Sequence, residues 1–165
     1  MRAIITTELQ KVEASITQPM ETTGKRTVLF FASLSVIAFL VNFCWESLHG
    51  LLYKAHPAMS ASVYVPMMLS MAVMDTVAIT ALYSFTALIS RSWFWTLGLP
   101  NSLIFIISGI VLACGVEYIS IFILHLWQYG PSMPVLFGVG LFPSIQLSST
   151  GFFSVIIARK VSGVC

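Results

Sequence analysis

Glu46, Asp75 and Glu117 stand inside long apolar stretches of a 165-residue chain that has only six acidic residues. A charged side chain near the centre of a membrane-spanning helix costs about 2.5–3.5 kcal/mol on insertion scales, so acids placed there usually face a bundle interior or a wet cavity and mark function. The spacing gathers further polar groups around them. Asn42, Glu46 and His49 recur at i, i+4 and i+7, on one face of a helix. Gln146, Ser149 and Thr150 share a face later in the chain. Acids in differing environments divide into a proton donor and a proton acceptor, the usual arrangement for acid/base catalysis. On this reading Glu46, Asp75 and Glu117 are the catalytic groups and His49 orients or relays a proton. Asn42 and Gln146 bind a polar substrate group, Trp45 walls the site beside Glu46, and Trp127 and Tyr129 line its apolar part or its mouth.

Metal ligation is the competing chemistry. The Glu46-x-x-His49 pair has the i, i+3 spacing that di-iron carboxylate bundles combine with glutamates from other helices. A dinuclear centre takes two such pairs and the chain has one, because His56 and His125 fall near or beyond the helix ends. No metal ligand is therefore assigned, and the sequence names no cofactor. Met67, Met68, Met71 and Met74 form a stripe just before Asp75. Thioethers suit Cu(I), yet methionine is also an adaptable packing residue, and the stripe is read as core or lipid contact. Cys44, Cys114 and Cys165 are read as small packing residues with no disulfide framework. Nucleotide loops, Ser-His-Asp arrangements and paired C-x-x-C sites are absent from the sequence.

The elements that must position these groups follow from composition. Hydrophobic residues make up 58% and charged residues 8%, against about 25% charged in a soluble domain, and the mean hydropathy is +0.93. This is the composition of a multi-pass membrane protein. A hydrocarbon core of about 30 Å takes roughly 20 apolar residues as helix. Four stretches qualify, over residues 28–53, 63–89, 102–127 and 135–158. They predict an all-α, up-down four-helix bundle, preceded by a polar tail over 1–27 and followed by a short tail over 161–165. With the N-terminus inside, Arg2, Lys11, Lys25, Arg26, Arg91, Arg159 and Lys160 fall on the cytoplasmic side and Lys54 alone falls outside. That bias predicts N-in, C-in topology in a cytoplasmic membrane. No basic patch is present to grip phosphates, so a nucleic-acid partner is excluded.

Counting rise along each span gives depth. Glu46 lies about 27 Å from the inner end of its helix, Asp75 about 18 Å from the outer end, Glu117 about 22 Å from the inner end and Gln146 about 16 Å below the outer end. All four share the middle-to-outer part of the bundle and are expected to converge there with His49. Trp93 and Trp95 are assigned to an inner aromatic belt, and Trp127 and Tyr129 to an outer one as well as to the mouth of the site.

The order Asn42-Phe43-Cys44-Trp45-Glu46, Leu52-Tyr53, Asp75, Glu117-Tyr118, Trp127-Gln128-Tyr129, Met133-Pro134 and Gly138-Val139-Gly140-Leu141-Phe142-Pro143 leading to Gln146 resembles an uncharacterised family of small four-span bacterial-type integral membrane proteins. The resemblance covers about residues 40 to 150 and implies one constellation, with no activity attached. A weaker similarity, a Trp-Glu on an early helix and an acid on a later one, is to membrane-bound terpene cyclases; it implies Glu46 or Asp75 as proton donor.

Three functions remain open on the sequence. One is a membrane-embedded enzyme using carboxylic acid/base chemistry on a lipid-soluble substrate such as an isoprenoid. A second is a small proton- or cation-coupled transporter, which at four helices requires a homo-oligomer. The third is an accessory subunit of a larger membrane complex. Membrane lipids are the expected surroundings in each.

Overall fold

The computed structural model describes residues 2–164, with side chains from residue 24 onward. Most of the polar tail expected over 1–27 therefore lies outside the described side chains, as does Cys165. Four helices carry the chain: α1 (Arg2–His49), α2 (Ala61–Ile89), α3 (Leu99–Tyr118) and α4 (Leu141–Ser162). The segments Gly24–Leu52, Ala61–Ile89, Leu99–Ile123 and Leu141–Ser162 are each long and apolar enough to cross a membrane. Their outward faces are apolar, with Leu48, Leu88 and Leu99 largely exposed. Helix α4 packs on both α1 and α3, α1 packs on α2, and α2 and α3, though neighbours in sequence, meet only loosely. That looseness between α2 and α3 shapes the site.

Two helix ends differ from the hydropathy expectation. The stretch expected to open the fourth span at Val135 is instead an antiparallel hairpin, β1 (Val135–Leu136) and β2 (Val139–Gly140), paired Val135 to Gly140 and Leu136 to Val139. Its two turn residues, Phe137 and Gly138, have φ of 51° and 83°, the left-handed pair that a two-residue type I′ turn requires. Short apolar runs look alike as strand and helix, so hydropathy could not separate them. The fold is thus mainly helical with a small sheet rather than wholly α. The stretch expected to continue helically to Trp127 leaves the α-helix at Tyr118, passes through a π turn over Ile119–Ile123 and reverses at His125, whose φ is 52°. This reversal frees Trp127 and Tyr129 from the helix.

The end of the bundle nearest the termini is packed through. Phe30, Leu34, Tyr83, Trp95, Phe105 and Val155 are fully or almost fully buried there. Aromatic rings connect them, with centroids 4.8 Å apart for Phe30 and Tyr83 and 5.6 Å for Tyr83 and Trp95. Trp95 corrects the aromatic-belt expectation, being core, whereas Trp93 is exposed. The Trp95 ring packs between those of Tyr83 and Phe105, and Arg159, itself buried, donates to the Trp95 carbonyl and lies 6.0 Å from the ring. Helices α3 and α4 cross closely at Gly109, where a Cβ would meet Ser148 Oγ at 2.5 Å. Beside it Ser148 Oγ donates to the Ile106 carbonyl at 2.7 Å.

At the opposite end the two connections are clasped together. Lys54 N–H donates to the Gln128 carbonyl at 2.9 Å and Gly130 N–H to the Leu52 carbonyl at 2.8 Å, flanking a bridge between Tyr53 and Tyr129. A side chain at residue 130 would collide with that ladder, since its Cβ would lie 2.7 Å from the Leu52 oxygen. Most hydroxyls on the helices donate to the carbonyl one turn back, as Thr76, Thr80, Ser84, Thr86 and Ser154 do. Such local bonds satisfy a hydroxyl without a ligand.

Candidate functional site

Gln146 is the node of the polar cluster. Its Nε2 donates to Glu46 Oε1 at 2.5 Å and Asp75 Oδ2 at 2.7 Å, with Asn42 Oδ1 at 3.3 Å. One amide nitrogen thus joins side chains from α1, α2 and α4. A primary amide has two N–H groups for these three acceptors. Thr150 Oγ1 lies 3.0 Å from the same Asn42 oxygen, and Asn42 Nδ2 donates back to the Ala38 carbonyl at 2.8 Å, which fixes the orientation of its side chain. Glu46 and Asp75 thus meet at one nitrogen. Two negative charges so close repel, and a single proton shared by the pair leaves it with both a donor and an acceptor.

Glu117 forms a second node, on α3. Tyr53 donates to its Oε1 and Tyr129 to its Oε2, both at 2.8 Å. The Tyr129 oxygen in turn accepts the Gly140 N–H at 2.6 Å. Burial pushes the Tyr129 hydroxyl above its ordinary range, against the opposing pull of the Gly140 N–H. It therefore stays protonated as a donor to Glu117. Replacing Tyr129 by phenylalanine removes both bonds and leaves a buried carboxylate oxygen and an amide without this partner; the expected loss is about 1–3 kcal/mol of stability. Faster hydrogen exchange at the Gly140 amide in Tyr129→Phe checks this, and unchanged exchange refutes it.

A cavity of about 550 Å³ lies between α2 and α3, backed by α1 and α4. That is within the roughly 300–1,000 Å³ of ordinary small-molecule sites. Its polar lining includes Glu46, His49, Tyr53, Asp75, Glu117 and Gln146, and Met67, Met68, Met71 and Met74 supply much of an apolar wall. Met74 is 67% exposed and Val116 49%, yet both also line the cavity. It therefore reaches the lateral surface of the bundle between apolar side chains. His49 is buried, and neither ring nitrogen has a hydrogen-bond partner; Nδ1 is 3.9 Å from Glu46 Oε2. The Trp127 indole N–H is likewise buried without a partner.

Of the residues singled out in the sequence, Glu46, His49, Asp75, Glu117, Trp127 and Gln146 line this one cavity. Glu117 does so apart from the other two acids, through its own pair of tyrosines. Asn42, Trp45 and Tyr129 are not among the lining residues: Asn42 lies behind Gln146, Tyr129 behind Glu117, and the Trp45 ring sits 6.4 Å from His49. Tyr53 and the methionines were not assigned to the site from sequence. Tyr53 follows His49 by four residues, so it extends the face of Asn42, Glu46 and His49, and that spacing was the available signal. Among the described residues no three His, Cys, Asp or Glu side chains converge at metal-ligand spacing.

Fold and cavity together define a class, a four-helix bundle of membrane-crossing length with a carboxyl-lined lateral cavity. No family model, no curated protein and no solved structure matches this chain.

Proposed function

We propose that the chain is a multi-pass protein of a cytoplasmic membrane, both termini inside, and that it is an enzyme using carboxylic acid/base chemistry on a lipid-soluble substrate. The observation that carries this reading is the cavity: it combines Glu46 and Asp75, both bonded to the Gln146 amide, with an apolar wall and a lateral opening between α2 and α3. A substrate dissolved in the bilayer reaches such a cavity without crossing water. The protonated member of the pair gives its proton to the substrate and the ionised member takes one back. Gln146 holds both carboxyls in place, and Glu117 is held by the hydroxyls of Tyr53 and Tyr129.

The solid core at the termini end supports catalysis over transport. Cavity lining stops at Ala78, Leu112 and Leu147, and Ile79, Leu82 and Phe105 are buried beyond.

The test is incubation of the purified protein, reconstituted in vesicles, with a total lipid extract of its source cells, followed by mass spectrometry. Wild type is expected to form a new species that Asp75→Asn does not, with both inserting equally. Identical lipid profiles for the two would overturn the proposal.

A further inference from the structure

We propose that the cavity takes a lipophilic amine, an apolar chain or ring system ending in a protonated nitrogen that sits between Glu46, Asp75 and His49, against the ring of Tyr53. This inference rests on the preceding reading that the cavity is the substrate site, and it names the substrate class.

Charge is the first argument. The lining holds three carboxyl groups and neither lysine nor arginine, so no side chain there offers a fixed positive charge. The nearby Lys54 is directed to the Gln128 side chain, 3.4 Å from its Oε1. A carboxylate or phosphate head would enter against like charge, whereas a cation would find the field complementary.

Unused acceptors supply the second argument. A neutral imidazole carries one lone-pair nitrogen, and His49, only 8% exposed, has no partner at either nitrogen. The two N–H groups of Gln146 cannot satisfy every oxygen of Asn42, Glu46 and Asp75, so the carboxyls retain acceptor capacity. An ammonium N–H is the donor that these groups lack.

Ring geometry and size complete the case. The Tyr53 ring is flanked by those of His49 at 5.3 Å, His56 at 5.2 Å and Trp127 at 6.0 Å. Aromatic faces attract organic cations within about 6 Å. The cavity of about 550 Å³ has room for an organic head with a tail behind it. The methionine wall is apolar and adaptable, and suits a tail of variable shape.

Three probes of equal chain length separate the possibilities: N,N-dimethyldodecylamine, 1-dodecanol and dodecanoate, each titrated into the full chain in phosphatidylcholine nanodiscs and read by tryptophan fluorescence. The amine is expected to bind at least about tenfold more tightly than the alcohol, with dodecanoate weakest. Asp75→Asn, and in parallel Glu117→Gln should the first not fold, is expected to shrink that preference while alcohol binding persists. Equal binding of amine and alcohol, or an amine preference untouched by both substitutions, overturns the amine and leaves the cavity as a site for a neutral lipid. Failure of all three probes to bind overturns the amine and counts against the cavity as a substrate site as well.

Discussion

Gln146→Leu is expected to destabilise the bundle by about 3 kcal/mol and to abolish the proposed turnover. The substitution keeps the side chain near its original size but withdraws the one amide nitrogen that meets Asn42, Glu46 and Asp75. Removing one partner from a buried polar group costs far more than a net hydrogen bond is worth, because the remaining groups stay desolvated; for buried charges the loss is about 3–5 kcal/mol. Protonation of the carboxyls relieves part of it, which sets the expectation at about 3 kcal/mol. Unfolding in mixed micelles by denaturing detergent measures the change. A double-mutant cycle with Asp75→Asn sharpens it: residues sharing a network are non-additive, so the pair should cost less than the sum of the singles. Strict additivity would show that Gln146 and Asp75 do not interact.

Gly109→Leu has the second large effect. Even a Cβ at this position would lie 3.2 Å from Ser148 Cα and N, and backbone cannot swing aside as a side-chain tip does. Overpacking costs typically 1–3 kcal/mol, and a leucine at a helix crossing belongs at about 3 kcal/mol or above. It also removes the room for the Ser148 to Ile106 hydrogen bond. Since Ser148 follows Gln146 by two residues, forcing α4 from α3 shifts the node relative to Glu117, so activity should fall along with stability. Gly115→Ala on the same helix is the control, because nothing lies within 4 Å of its Cβ position; it should be neutral or stabilise by about 0.5–1 kcal/mol. If both variants behave alike, the close crossing is not what holds α4.

Much of this site could be read from spacing and depth. Glu46 and His49 share a face three residues apart, and counting rise placed Asp75 and Gln146 at levels compatible with the bonds that join them. The pairing of Tyr129 with Glu117 is hidden for a different reason. Tyr129 reaches Glu117 only because the chain leaves the helix through the π turn and reverses at His125, and hydropathy records neither event. The aromatic residues near the helix ends were ambiguous in the same way. A tryptophan that anchors at an interface and one packed into the core carry the same local signal, and Trp95 packs against Tyr83 and Phe105 with its carbonyl held by Arg159, 64 residues away. The methionines show the complementary limit: their stripe was visible, but whether it faces lipid, core or cavity depends on how far α2 stands from α3. Side-chain periodicity determines a face; only packing determines what that face meets.

The clasp between Lys54–Gln128 and Leu52–Gly130 is made by main-chain N–H and carbonyl groups, and this has a consequence for how the chain can vary. Any non-proline residue can supply such groups, so substitutions at 52, 54 and 128 should leave the ladder standing and allow that surface to diversify freely. Gly130 is the exception, because a side chain there strikes the Leu52 oxygen. The end of the molecule nearest the site is therefore permissive at 52, 54 and 128 and intolerant at Gly130, while Tyr53 and Tyr129 are tied to Glu117, and a saturation library across 52–54 and 128–130 should recover variants in that uneven pattern.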